Sequence, residues 1–225
     1  MKTRIISPQD LTRREREQML RLMTAHYDDV KPDAFFSDLL AKDVVIVLET
    51  DRIVGFSTQR ILKLADITAV FSGDTIIERA HWGTQHLSQA FARYFFDHPE
   101  GVLDWFLISK GFKTYRFLPT FFREFYPRYD QPTPPEVKAR LDALGSALFP
   151  EDYDPVSGVI EYRGVKDRLK ADLQELSVRQ NDPNYQFFIT ANPGFSKGHD
   201  LACLTRLSCD NLREGRARLL FGEEK

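Results

Sequence analysis

Asp74, Glu78 and His81 fall in one short stretch of the chain, and side chains of these types move protons. Asp74 and Glu78 are four apart in a segment that reads as extended, so a period of two puts both on one face. A carboxylate there suits removal of a proton from an amine, directly or through a water. Glu78 is preferred because it lies nearest the following turn. His81 is the alternative base, with an intrinsic pKa suited to the task. The plain alternative is a solvent-exposed strand end beside a surface histidine.

The stretch continues as TIIERAHWGTQHLSQAF, residues 75–91. The β-branched run Thr75, Ile76 and Ile77 stops at a polar turn. After it, Leu87, Ala90, Phe91 and Tyr94 recur at helical spacing. A strand–turn–helix junction can offer a phosphate the orphan N–H groups and partial positive charge of a helix start. Such a cradle usually wants glycines. This turn holds Trp82, Thr84, Gln85 and His86 around a single Gly83. Thr84, Gln85 and His86 offer side-chain hydrogen bonds instead.

Around this junction the pattern reads β-α-α-β-β-β-α-β-α, then a helical insertion, then β-β. A strand over 4–7 precedes a helix for which Ser7-Pro8 supplies the N-cap and first residue. Asp33 caps a second helix over 31–43. Apolar runs at 44–49 and 53–62 predict an antiparallel hairpin. The next strand, 67–78, bends or bulges at Ser72-Gly73. A helix over 84–98, a strand over 102–110 and a helix over 114–127 follow. Residues 127–137 are a proline-rich loop. Helical stretches at 135–149 and 165–179 flank the irregular 151–164, and 184–192 and 201–209 read as closing strands. The result is an α/β fold with a mixed, mostly antiparallel central sheet flanked by helices. It divides into a core over 1–130, an insertion over 131–185, and closing strands with a C-terminal tail over 186–225.

The 225 residues are 42% apolar and 28% charged, enough to bury a core and stay in solution. A net charge of −2 argues against a general nucleic-acid binder. The charged N-terminus lacks a signal-peptide pattern, and no apolar run is long enough for a membrane span, so a cytoplasmic location is expected. Cys203 and Cys209, placed on one strand, would share a face too far apart to bridge and read as reduced core thiols. No Cys/His spacing points to a metal.

Residues 1–130 resemble the GNAT acyltransferase superfamily element by element. VVIVLETDRIVGFSTQRIL, with D-x-x-V-G-F at its turn, is similar to that family's second and third strands. SGDTIIERAHWGTQHLSQAF resembles the fourth strand entering the cofactor helix. WFLIS resembles the fifth strand and FFREFYP the helix after it, where the family often has a Phe-Tyr pair. The resemblance implies acetyl-CoA or a longer acyl-CoA as co-substrate. The acyl group would pass to an amine of a small molecule or peptide by direct attack. In the family the fourth and fifth strands splay, and pantetheine fits the gap like an added strand. Ile76, Ile77, Trp82, Gly83, Thr84, Gln85, His86 and Ser109 are the cofactor contacts implied here. The family's turn pattern spans Trp82 to Leu87 and puts Gln85 and Leu87 where glycines belong. That departure leaves open CoA held less conventionally, an acyl-carrier-protein arm, or a non-catalytic binding module.

By the same resemblance Tyr126 would protonate the departing thiolate, with Glu78, Asp74 or His81 as base. Lys110 joins Ser109 as a contact for pantetheine or phosphate. Lys113, Arg116, Arg123 and Arg128 would receive the 3′-phosphate, a solvated helix face being the alternative. His199 and Asp200 would orient each other across the acceptor cleft. The acceptor has no motif, and a homodimer is left open.

Overall fold

The structure, a computed structural model, describes residues 1–99, 101–164, 167–170 and 181–222. Strand β1 (Lys2–Ile6) leads through a 3-10 turn at Pro8–Asp10 into helix α1 (Arg13–His26). The two-residue β2 (Tyr27–Asp28) and helix α2 (Pro32–Leu40) follow. Next come β3 (Val44–Glu49), β4 (Ile53–Leu64), β5 (Ile67–Ile77) and α3 (His86–Phe95). Then β6 (Asp104–Ser109), α4 (Phe112–Phe121), β7 (Phe125–Tyr126) and α5 (Pro135–Leu148). The remaining elements are β8 (Tyr153–Asp154), β9 (Val159–Ile160), β10 (Arg168–Leu169), α6 (Pro183–Ala191), β11 (Asp200–Arg206) and α7 (Ala217–Phe221).

The main sheet runs β1-β3-β4-β5-β6-β11-β9-β8, with β7 also on β11, while β2 and β10 pair separately. β5 and β6 are parallel, because α3 carries the chain back to the same end before β6 starts. The other pairs of the main sheet are antiparallel, so it is mixed and mostly antiparallel, as the sequence predicts. Alternation along β3 sends neighbours to opposite faces. Val44, Ile46 and Leu48 pack with α3 and α4 residues such as Phe91, Phe95 and Leu118. Val45 and Val47 pack with Met19, Leu22 and Leu39 of α1 and α2. A third cluster joins Phe71, Phe106 and Ala202 to Leu141 and Leu144 of α5.

Several local expectations are corrected. Ser7-Pro8 opens only the 3-10 turn. α1 starts later, at a reciprocal capping box in which Thr12 Oγ1 accepts from the Glu15 N–H and the Glu15 carboxylate accepts from the Thr12 N–H. Lys31, not Asp33, is the N-cap of α2. Residues 184–192 are helix rather than strand. Asp182 accepts from the Asn184 N–H at 2.9 Å and Pro183 takes the first helical position, so start signals override an aromatic, β-prone composition. Residues 114–127 are not one helix. Phe122 is extended, and the Arg123 and Glu124 N–H groups donate to Asn211, each at 2.8 Å. That hands Phe125 and Tyr126 to β11 as a strand. Cys203 is buried in β11, but Cys209 lies past its end and is exposed. The helix expected over 165–179 falls largely outside the described residues, and its described part contains β10.

Candidate functional site

β5 and β6 pair only from Ala69↔Asp104 to Ser72↔Leu107. Both strands run on, β5 to Ile77 and β6 to Ser109, without facing each other. The parting begins where β5 bulges. Ser57 pairs Thr75 but Gln59 pairs Ser72, so Gly73 and Asp74 stand opposite Thr58 alone. A bulge bends its strand and sharpens the local twist, which turns β5 away from β6. The expected bulge at Ser72-Gly73 is therefore the hinge of the opening. Gly73 is needed for close approach, since a Cβ there would lie 2.8 Å from Thr58 Oγ1 and 2.9 Å from Lys42 Cε.

The opening is a cleft of about 720 Å³ that crosses the sheet. On the α3/α4 side it is walled by Leu87, Phe91, Trp105, Leu107, Phe117 and Phe121. On the other side Phe71, Ile108 and Phe149 line it. Polar groups mark the floor between. Ser57 Oγ and Thr75 Oγ1 are 2.7 Å apart, and the Trp105 indole donates to Ser72 Oγ at 2.8 Å.

At one mouth lie Gly83, Thr84, Gln85 and Ser88, at the start of α3. Gly83 has φ +88° with open space around it, so glycine is required there for the backbone conformation and not for room. Lys113, Arg116, Phe117 and Thr120 project from one stripe of α4 into the same mouth. The Lys113 ammonium is drawn below its ordinary 10.5 by burial and then by the neighbouring charge of Arg79.

The far end is a chamber built by distant segments. Tyr27 comes from the end of α1, Lys110 from the end of β6, Asp200 from the start of β11, and Tyr162 and Asp167 from the insertion. Lys110 Nζ donates to Asp167 Oδ2 at 2.9 Å and lies 4.0 Å from Asp200. It also sits over the rings of Tyr27 and Tyr162, at 5.4 and 5.7 Å. Tyr162 donates to Asp200 Oδ2 at 2.8 Å. Burial, then Asp74, Asp167 and Asp200, push the Tyr27 hydroxyl far above the ordinary tyrosine range. Burial and Asp200 do the same to Tyr162. Both tyrosines therefore stay protonated, as hydrogen-bond donors, beside three carboxylates.

Asp74, Ile77, Gly83, Thr84 and Gln85 line the cleft, as the sequence suggests for them. The other expected site residues stand elsewhere. Glu78 holds Arg52 Nη2 through both carboxylate oxygens, each at 2.8 Å, and is 3.7 Å from His81. Neither Glu78 nor His81 is part of the cleft wall. Tyr126 pairs with Leu204 on the far edge of β11. Two strands, β6 and β11, thus separate it from the opening, about 10 Å at ordinary strand spacing. Its hydroxyl accepts from Gln131 at 3.1 Å. Ile76 points into the α1/α2 cluster, and Ser109 is buried with its hydroxyl 3.9 Å from Cys203 Sγ. Trp82 and His86 flank the mouth without lining the cleft. Arg128 is paired with Asp130. His199 and Asp200 do not orient each other: Asp200 takes Tyr162, while His199 lies 4.0 Å from Glu161. Tyr27, Tyr162 and Asp167 carried no sequence signal, because only tertiary folding brings them to the strands.

An antiparallel run of strands, one parallel pair that parts midway, and a helix starting at the parting describe the architecture. This is the arrangement that the resemblance of residues 1–130 leads one to expect. Solved structures similar to it include ElaA from Escherichia coli, at 17% identity and a TM-score of 0.38, covering 57% of this chain and 93% of that one. An N-acetyltransferase from Staphylococcus aureus matches at 13% identity and a TM-score of 0.40, covering 56% and 85%. No protein-family model and no curated protein sequence matches the chain. Among the described residues no cluster of His, Cys, Asp and Glu could hold a metal, and no helix is long and apolar enough to cross a membrane.

Proposed function

We propose that the protein is an acyltransferase that moves an acetyl or longer acyl group from coenzyme A to an amine by direct attack. One observation carries this reading: β5 and β6 part at Ser72 and Leu107 while both continue, leaving unpaired strand edges along a cleft through the sheet. Unpaired strand edges favour an extended ligand bearing amides, because they offer it a ladder of hydrogen bonds. Pantetheine is such a chain. The start of α3 suits its phosphates, and the carboxylate–tyrosine chamber suits the amine.

In this reading Asp74, two residues beyond the last β5 residue paired with β6, is the base. It takes a proton from the acceptor ammonium, directly or through water. The freed nitrogen attacks the thioester carbonyl carbon, a C–N bond forms and the C–S bond breaks. Tyr162 is committed to Asp200, so Tyr27 is the hydroxyl that donates a hydrogen bond to the departing thiolate. The second proton lost by nitrogen passes to that thiolate through water.

The test combines binding and turnover. CoA and acetyl-CoA should raise the melting temperature, and Asp74→Asn should lower turnover by about a hundredfold or more with donor affinity within about twofold. If neither thioester nor CoA stabilises the protein, the reading is wrong. Binding without transfer to any amine would favour the non-catalytic module.

A further inference from the structure

The turn that lacks the expected glycines places Trp82 against two cations. Lys113 Nζ lies 3.6 Å from the centre of the Trp82 ring and the Arg79 guanidinium 5.6 Å from it. The ring is itself fixed, since its indole N–H donates to the Ile77 carbonyl at 2.7 Å, at the very end of β5. Two like charges held against one ring repel each other; burial first, and then this charge of Arg79, draws the Lys113 ammonium below its ordinary value. Arg116 stands one helical turn from Lys113 and also lines the mouth. Among the described residues neither Lys113 nor Arg116 has a carboxylate ion-pair partner. A fold that gathers such charges beside a helix start is organised for an anion of several charges.

We propose that Trp82 is a positioning residue that holds Lys113 and Arg79, with Arg116, as a side-chain clamp for the phosphates of a nucleotide-bearing thioester. The clamp stands in for a glycine-rich backbone cradle. It selects free coenzyme A, with its diphosphate and 3′-phosphate, over carrier-borne pantetheine, which presents a single phosphodiester. This rests on the acyl-CoA reading for the identity of the ligand, but the clamp itself is testable with the nucleotide alone.

Titration calorimetry with CoA, dephospho-CoA, 4′-phosphopantetheine, pantetheine and 3′,5′-ADP is the experiment. Affinity should fall in that order for the first four, and added salt should weaken CoA much more than pantetheine. Trp82→Leu and Lys113→Ala should each weaken CoA by about tenfold or more and leave pantetheine within about twofold. Trp82→Phe keeps a ring for Lys113 and should recover part of the loss, which a general structural role for Trp82 would not predict. If CoA binds the wild type and these variants equally well, the clamp is refuted while the acyl-CoA reading survives. If 3′,5′-ADP binds in a Trp82-dependent way but no acyl thioester is turned over, the clamp stands and the enzymatic reading falls. If pantetheine binds as tightly as CoA, the preference for the free coenzyme is refuted.

Discussion

Gly73→Ala tests whether the opening depends on close packing at the bulge. The added Cβ would meet Thr58 Oγ1 at 2.8 Å and Lys42 Cε at 2.9 Å, both closer than real Cβ atoms come. Gly73 is not among the glycines with positive φ, so the cost is contact and not backbone strain. Neither neighbour gives way easily. Thr58 is 1% exposed, and Lys42 is 6% exposed and tied to Asp38. Overpacking of this kind costs about 1–3 kcal/mol. For a chain of this size that lowers the melting temperature by roughly 2–12 °C. Because Lys42 and Gly73 itself border the cleft, CoA should also stabilise the variant less than the wild type. Gly83→Ala is the control: it has open space but φ +88°, so it should lose only about 1 kcal/mol, through strain alone. Thermal and urea melts with and without CoA measure both effects. An unchanged or raised melting temperature for Gly73→Ala would refute the packing explanation of the bulge.

Acid stability should report Glu15. Burial pushes its carboxyl up, but hydrogen bonds from Thr12 and the pairing with Arg4 outweigh that and hold it below its ordinary 4.5. A depressed carboxyl stabilises the fold fully above its unfolded pKa, and that contribution is lost as pH falls through the folded value. Glu15→Gln should therefore melt lower at neutral pH, by the roughly 1 kcal/mol of a helix cap, and lose less on acidification. A steeper acid limb in the variant would contradict this. Thiol labelling should separate the cysteines: burial pushes Cys203 up to about 12, whereas Cys209 is exposed. One thiol should react quickly in the native protein and the second only on unfolding. Two equally fast thiols would show that β11 opens readily.

The sheet was legible because β3, β4, β5 and β6 are long apolar runs whose burial on both faces leaves few other arrangements. The bulge was legible because Gly73 interrupts one of them. Tyr126 was misplaced because FFREFYP has a helical composition, while its backbone is claimed by Asn211, far along the chain. Glu78 was preferred for nearness to the turn. Its charge is instead consumed by Arg52 from the β3–β4 turn, a contact that no local pattern encodes. The chamber was only partly legible, through Lys110 and Asp200: Tyr27, Tyr162 and Asp167 are scattered along the chain and only tertiary folding brings them to those two. Asp74 and the Gly83–Gln85 turn line the cleft because they sit at the junction itself, where strand, turn and helix signals coincide.

A crystal structure of the protein with coenzyme A is the most direct measurement. The account predicts an extended arm hydrogen-bonded to the backbone of β5 beyond Ser72 and of β6 beyond Leu107, its sulfur toward Asp74 and its phosphates at Lys113 and the start of α3. Coenzyme bound on another surface, or β5 and β6 closed against each other along their full length, would contradict it.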